Sequence, residues 1–220
     1  MPAGTTHPVR IDVEPALEGR NRLTTAFRLI LAIPHLILVG GPLSVALAWG
    51  GSGGPEGNAE SGSSGGLLGL VAGVCAIMAW FAIIFTGRHP IGLWKICAFY
   101  LRWRVRAAAY TTLLRDEYPP FGDGPYPATL DLPSAEGERN RLTVALRIIL
   151  VIPHLVLLAF LGVAWGITSI LAWFAILFTG RFPKSLYRFG VGVLQWNIRV
   201  EAYVLLLHDD YPPFTLAVAD

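Results

Sequence analysis

The chain has 220 residues, of which 54% are hydrophobic and only 15% charged, with a net charge of +2. Soluble domains carry about 25% charged residues, so this balance, with a mean hydropathy of +0.54, points toward lipid rather than a large water-surrounded core. The two cysteines, Cys75 and Cys97, have no metal-ligand or paired-thiol spacing and read as apolar fillers.

In chain order, Met1–Arg28 is polar and carries Pro2, Pro8 and Pro15, unlike a signal peptide. Leu29–Trp49 and Leu67–Phe85 follow as apolar runs near the roughly 20 residues a spanning helix needs. Between them, residues 50–66 are rich in Gly and Ser and read as a flexible external loop. Thr86-Gly87-Arg88 supplies a helix stop, with the arginine at the negative end of the helix dipole. Leu93–Leu114 is apolar but carries Lys95, Arg102, Arg104 and Arg106. Around Arg102–Arg106 polar and apolar residues alternate as in a strand. The length of the stretch favours an amphipathic helix at the cytoplasmic interface, with Trp103 and Tyr110 in the headgroup zone. Tyr118-Pro119-Pro120-Phe121 ends it.

The same blocks then recur. Arg20-Asn21-Arg22-Leu23-Thr24 returns at 139–143, and Ile33-Pro34-His35-Leu36 at 152–155, both 119 residues later. Ala79-Trp80-Phe81-Ala82-Ile83, Phe85-Thr86-Gly87-Arg88 and the Tyr-Pro-Pro-Phe block return 93 residues later. The chain is therefore a tandem duplication, with repeat one at 1–122, repeat two at 126–220 and a Gly/Pro-rich boundary at Gly122–Tyr126. Copy one holds 26 extra residues between its two apolar runs. In copy two the runs Thr143–Leu161 and Gly162–Phe178 have almost no loop between them. They are either short, tilted spans in a thinned bilayer or a re-entrant hairpin, and full spans are favoured. Leu186–Leu207, with Arg188, Arg199 and Trp196, is the second interfacial helix. Short alternating runs at Val9–Val13 and Thr129–Leu132 suit a small cytoplasmic sheet together with the tail Phe214–Val218.

The expected architecture is thus an all-α integral membrane protein. It has four spans in two parallel tandem repeats, each a transmembrane helical hairpin plus an amphipathic helix. None of the 17 Lys and Arg residues falls in the loops 50–66 and 162–166. The positive-inside rule then places both termini and the middle segment in the cytoplasm.

Few residues invite chemistry. His35 and His154 lie at matched depth, each about 10 Å along the helix from an arginine. They form a candidate intramembrane polar pair, since ionisable groups at such depth are costly. A structural hydrogen bond across the bundle, a proton or ligand role and a headgroup contact all fit them. Arg102, Arg104, Arg106, Arg188 and Arg199 are candidate lipid-headgroup contacts, or simply hold their helices at the surface. No metal, cofactor or catalytic set is expected, and no nucleic acid, because the basic residues belong to helix ends and interfacial helices.

The Ile-Pro-His-Leu, Trp-Phe-Ala-Ile-x-Phe-Thr-Gly-Arg and Tyr-Pro-Pro-Phe blocks resemble the bacterial membrane family named domain of unknown function 4389, twice over. The resemblance implies no established activity and no site residues. The expected function is a non-enzymatic accessory or scaffold subunit, or a lipid-organising protein, with membrane lipids and another membrane protein or a second copy as partners. Small residues Gly69, Gly73, Ala76 and Ala79 support close helix packing. The alternative is a small transporter or lipid-handling protein that uses the two histidines.

Overall fold

A computed structural model of the chain describes residues 7–42 and 65–216. Those residues form six helices and two short strands. The elements are β1 (Arg10–Val13), α1 (Arg22–Ala26), α2 (Arg28–Val39), α3 (Gly66–Thr86), α4 (Ile91–Thr111), β2 (Ala128–Asp131), α5 (Arg141–Thr179) and α6 (Lys184–Val204). The expected loop over 50–66 and the far end of the first expected span lie largely outside the described residues.

Local chemistry sets the boundaries in both copies. Asn21 and Asn140 are N-caps, each side chain accepting from two backbone N–H groups of the first turn. Gly87 and Gly180 end the long apolar helices in the left-handed conformation, at φ 76° and 71°. Pro90 and Pro183 precede α4 and α6, where a missing N–H costs nothing.

The expected hairpins are not what these helices make. In copy two, Arg141–Thr179 is one continuous helix of 39 residues, about 58 Å long at 1.5 Å per residue. Gly162–Gly166 offers no proline, polar cluster or left-handed glycine, so nothing turns the chain there. In copy one the same path is interrupted. The 119-residue offset carries Val39 onto Leu158, and the 93-residue offset carries Gly66 onto Ala159. Those two residues are consecutive in α5.

The contacts agree that α2 and α3 run head to tail. A Cβ on Gly66 would lie 2.6 Å from the backbone of both Leu38 and Gly40. Both helices also run antiparallel to α4. Arg28 reaches Tyr110, His35 meets Trp103 and Val39 meets Arg104 along α2. Gly69 then faces Tyr100, and Ala72 accepts from Cys97 along α3. Each copy is therefore one long outer path packed antiparallel on one inner helix. The 26 extra residues of the sequence fall between two positions that are consecutive in the other copy.

The inner helices α4 and α6 form the core rather than an interface with lipid. Cys97, Ala98, Tyr100, Leu101, Trp103–Val105 and Ala107–Tyr110 are buried in α4, and α6 is buried from Gly190 to Tyr203 at every residue but Arg199. The alternation at Arg102–Arg106 reflects burial on several sides, by the outer helices, by the partner inner helix and by the sheet. The sheet itself is β1 paired antiparallel with β2, Ile11 opposite Leu130. Of the expected third strand at 214–218, the described residues 214–216 are not part of it; they instead bring Leu216 across Gly192.

The two copies are joined reciprocally. Trp80 Nε1 donates to the Val144 carbonyl and Trp173 Nε1 to the Thr25 carbonyl, at 3.0 and 2.9 Å. Arg139 N donates to Gly87 O and Arg20 N to Gly180 O. Ile11 and Leu130 are themselves related by the 119-residue offset, so a pseudo-twofold axis passes through the sheet. The start of each outer path meets the end of the other.

Candidate functional site

The duplicated blocks converge in space as two equivalent clusters, one per copy. In copy one, the Trp103 Nε1–H donates to His35 Nδ1 at 3.0 Å. In copy two, Trp196 donates to His154 at 3.1 Å. An Nδ1 that accepts leaves the hydrogen of the neutral ring on Nε2. Each Nε2 is buried without a hydrogen-bond partner.

Each imidazole is closed in by aromatic rings from the Tyr-Pro-Pro-Phe block. Phe121 stacks on His35 at 4.7 Å and 14°, with Tyr118 at 5.0 Å. Phe214 stacks on His154 at 4.1 Å and 9°, with Tyr211 at 4.7 Å. The Tyr211 hydroxyl also donates to the Leu150 carbonyl, beside the Ile149 carbonyl that Pro153 leaves without its helical partner. The two histidines are completely buried. Each is held within its own copy, and no hydrogen bond joins them.

A second duplicated cluster lies one turn or two earlier on each outer helix. Arg28 donates through Nη1 to the Tyr110 and Arg115 carbonyls and through Nη2 to Asp116 at 2.5 Å. Arg147 does the same to Tyr203, His208 and Asp209 at 2.9–3.0 Å. Each guanidinium also lies over a tyrosine ring, Tyr110 at 4.4 Å and Tyr203 at 4.1 Å. The tyrosine carbonyls belong to the last turns of α4 and α6, so each arginine supplies donors that the helix end lacks. Arg20 and Arg139 complete the pairing with Asp116 and Asp209.

Just beyond each inner helix, Leu113 and Leu206 adopt φ 68° and 62°. That conformation costs an L side chain roughly 1–2 kcal/mol, and glycine is usual at this position. Both leucines are nonetheless buried.

One polar cluster has no counterpart in the other copy. Arg104 is buried, donates to the Val39 carbonyl at 2.8 Å and pairs with Glu201 at 2.5 Å. Tyr100 donates to the same carboxylate at 2.9 Å. Val39 is the last residue of α2, so Arg104 supplies a donor at the point where the outer path is interrupted. In copy two the helix continues, and the matching position is Asn197. Glu201 comes from the other copy and balances the buried charge.

The arginines expected at lipid headgroups are thus dispersed. Arg104 is a correction: it is enclosed and bound to Glu201. Arg106 donates to the Gly122 carbonyl, and Arg199 reaches the Val9 carbonyl at 3.4 Å. Arg102 is half-buried and Arg188 exposed. The sequence pattern alone places Trp103 and Trp196 at headgroups and makes Tyr-Pro-Pro-Phe a helix stop. The missed signal was their joint recurrence with Ile-Pro-His-Leu, the mark of residues that touch. Arg28 with Asp116 carries the same signal as Arg147 with Asp209.

Comparison with curated proteins and with solved structures finds no match. A family model does match, over residues 65–122 and 141–215. Its first segment begins at α3, just after the interruption, and its second spans α5 and α6. With more than half of its residues covered, in two successive segments, the chain belongs to the family described as Domain of unknown function (DUF4389).

Proposed function

We propose that the protein is a non-enzymatic membrane protein that organises lipid or serves as a scaffold for another membrane protein, with its outer helices against hydrocarbon. The observation that carries this is the outer surface of α3 and α5. Both are long and apolar enough to cross a bilayer, yet only 28% and 33% of their most apolar stretches are buried inside the protein. A core helix of a soluble protein would be mostly covered. Here Leu67, Ile77, Phe81 and Phe85 on α3, and Phe160, Val163, Ile167 and Phe178 on α5, are exposed. Exposed apolar area on this scale needs a cover.

The layering supports embedding from one side. The sheet packs on the inner helices, and the outer helices lie on a different face of them. No Lys or Arg occurs from 29 to 87 or from 148 to 180. With the pseudo-twofold axis along the membrane normal, both ends of both outer paths meet the same aqueous phase, which the positive-inside rule makes the cytoplasm of a bacterial plasma membrane. Both termini then lie on that side. This arrangement replaces the two parallel hairpins expected from the sequence.

The transporter reading depends on a shared path between His35 and His154. Each ring is instead closed inside its own copy, so the scaffold and lipid reading is preferred. The test is partition. Membranes washed with alkaline carbonate should retain the protein, and mild detergent should release it. Recovery in the carbonate wash would contradict membrane embedding.

A further inference from the structure

Two grooves lie between the copies, of about 310 and 380 Å³. Arg28, Leu29, Leu113, Ile170, Trp173 and Phe174 line the first. Arg147, Ile148, Leu206, Ile77, Trp80 and Phe81 line the second. Each residue of the second set is the repeat counterpart of one in the first, by the 119-residue offset for the outer-helix starts and the 93-residue offset for the rest. In each groove the arginine and leucine come from one copy, and the tryptophan and phenylalanine from the other. The cleft therefore exists only because two copies are joined.

We infer that each groove holds one acyl chain of a membrane phospholipid, which rests on the membrane reading above and gives it a stoichiometry of two chains per protein. The mouths are flanked by Leu29, Ile170 and Phe174, and by Ile148, Ile77 and Phe81, all exposed. They open on the surface assigned to hydrocarbon. The floors are Leu113 and Leu206, the two leucines in the left-handed conformation. A glycine there would relieve the backbone but remove the floor.

Most of the polar groups at the walls are already engaged, Arg28 Nε and Arg147 Nε alone among the arginine nitrogens there being buried without a partner. The Trp80 and Trp173 N–H groups donate to backbone carbonyls across the copies. The terminal nitrogens of Arg28 and Arg147 are bound to carbonyls and to Asp116 or Asp209. A peptide segment in the groove would find few partners for its own N–H and C=O groups, whereas a hydrocarbon chain needs none. The volumes lie at the low end of ligand pockets, enough for a chain segment and not for a folded partner.

The test uses the full chain reconstituted in phosphatidylcholine vesicles containing a phosphatidylcholine with a diazirine on one acyl chain. After irradiation, labelled peptides are mapped by mass spectrometry. Label is expected on the buried floors, Leu113 and Leu205–Leu206, as well as on the exposed Phe85 and Phe178. Gly73 borders the second groove, and a Cβ there meets nothing within 4 Å. Gly73→Phe should therefore remove most label from Leu205–Leu206 while leaving Leu113 and the exposed residues labelled. Label confined to the exposed residues would overturn the groove assignment and leave the membrane reading standing. A chain that fails to enter vesicles would overturn both.

Discussion

His154 shows how the duplicated site works at the scale of one residue. It is completely buried, and its Nδ1 is the acceptor for the Trp196 indole. Leaving a buried donor without its acceptor costs about 1–3 kcal/mol. His154→Phe should therefore destabilise the protein by roughly that amount beyond any packing change. His154→Gln, which can keep an acceptor near the indole, should lose less. Thermal unfolding in detergent, read by near-ultraviolet circular dichroism, orders the two variants; equal losses would show that the hydrogen bond is not what the ring supplies. The matched positions of the two histidines were legible from their spacing to Arg28 and Arg147. Their partners were not, because the indole and the Phe ring come from segments 68 and 86 residues further along in copy one. Only the recurrence of all three blocks together pointed to contact. Arg104 was harder still: its partner Glu201 has no counterpart in copy one, so repetition held no clue to the pair.

At the scale of elements, the interruption between α2 and α3 explains several features together. Gly66 adopts φ 68° and abuts Leu38 and Gly40. Arg104 covers the Val39 carbonyl. The family match in copy one starts only at residue 65. All follow from 26 residues inserted into what copy two builds as an unbroken helix. Deleting residues 40–65, so that Val39 is joined to Gly66, should therefore preserve the fold with an unchanged helical signal. A collapse of helical content would show that α2 and α3 are not two parts of one path. The insertion was legible in the change of repeat offset from 119 to 93. Its meaning was not, because a Gly/Ser-rich stretch between two apolar runs is also the pattern of a hairpin loop. The more telling segment was Gly162–Gly166, which has no turn chemistry. The inner helices misled for a related reason: Arg104 and Glu201 count as surface charges in a pattern, but they neutralise each other inside the protein.

The whole molecule is a pseudo-twofold pair built within one chain, with the axis through Ile11 and Leu130. Duplication, helical class and apolar character were all legible before any coordinates. The relative direction of the copies was not, since it depends on reciprocal bonds such as Trp80 to Val144 and Trp173 to Thr25. Those bonds set the outer paths antiparallel. That geometry makes a direct test of one-sided embedding possible. Cysteine is placed singly at Glu138, before the start of α5, and at Ser185, after its end, in a chain with Cys75 and Cys97 replaced by alanine. The measurement is reaction with a membrane-impermeant thiol reagent on intact bacterial cells and after permeabilisation. One-sided embedding, as proposed, predicts that both positions react only after permeabilisation. Reaction of one position from outside and the other only after permeabilisation would mean that α5 crosses the bilayer, contradicting the account.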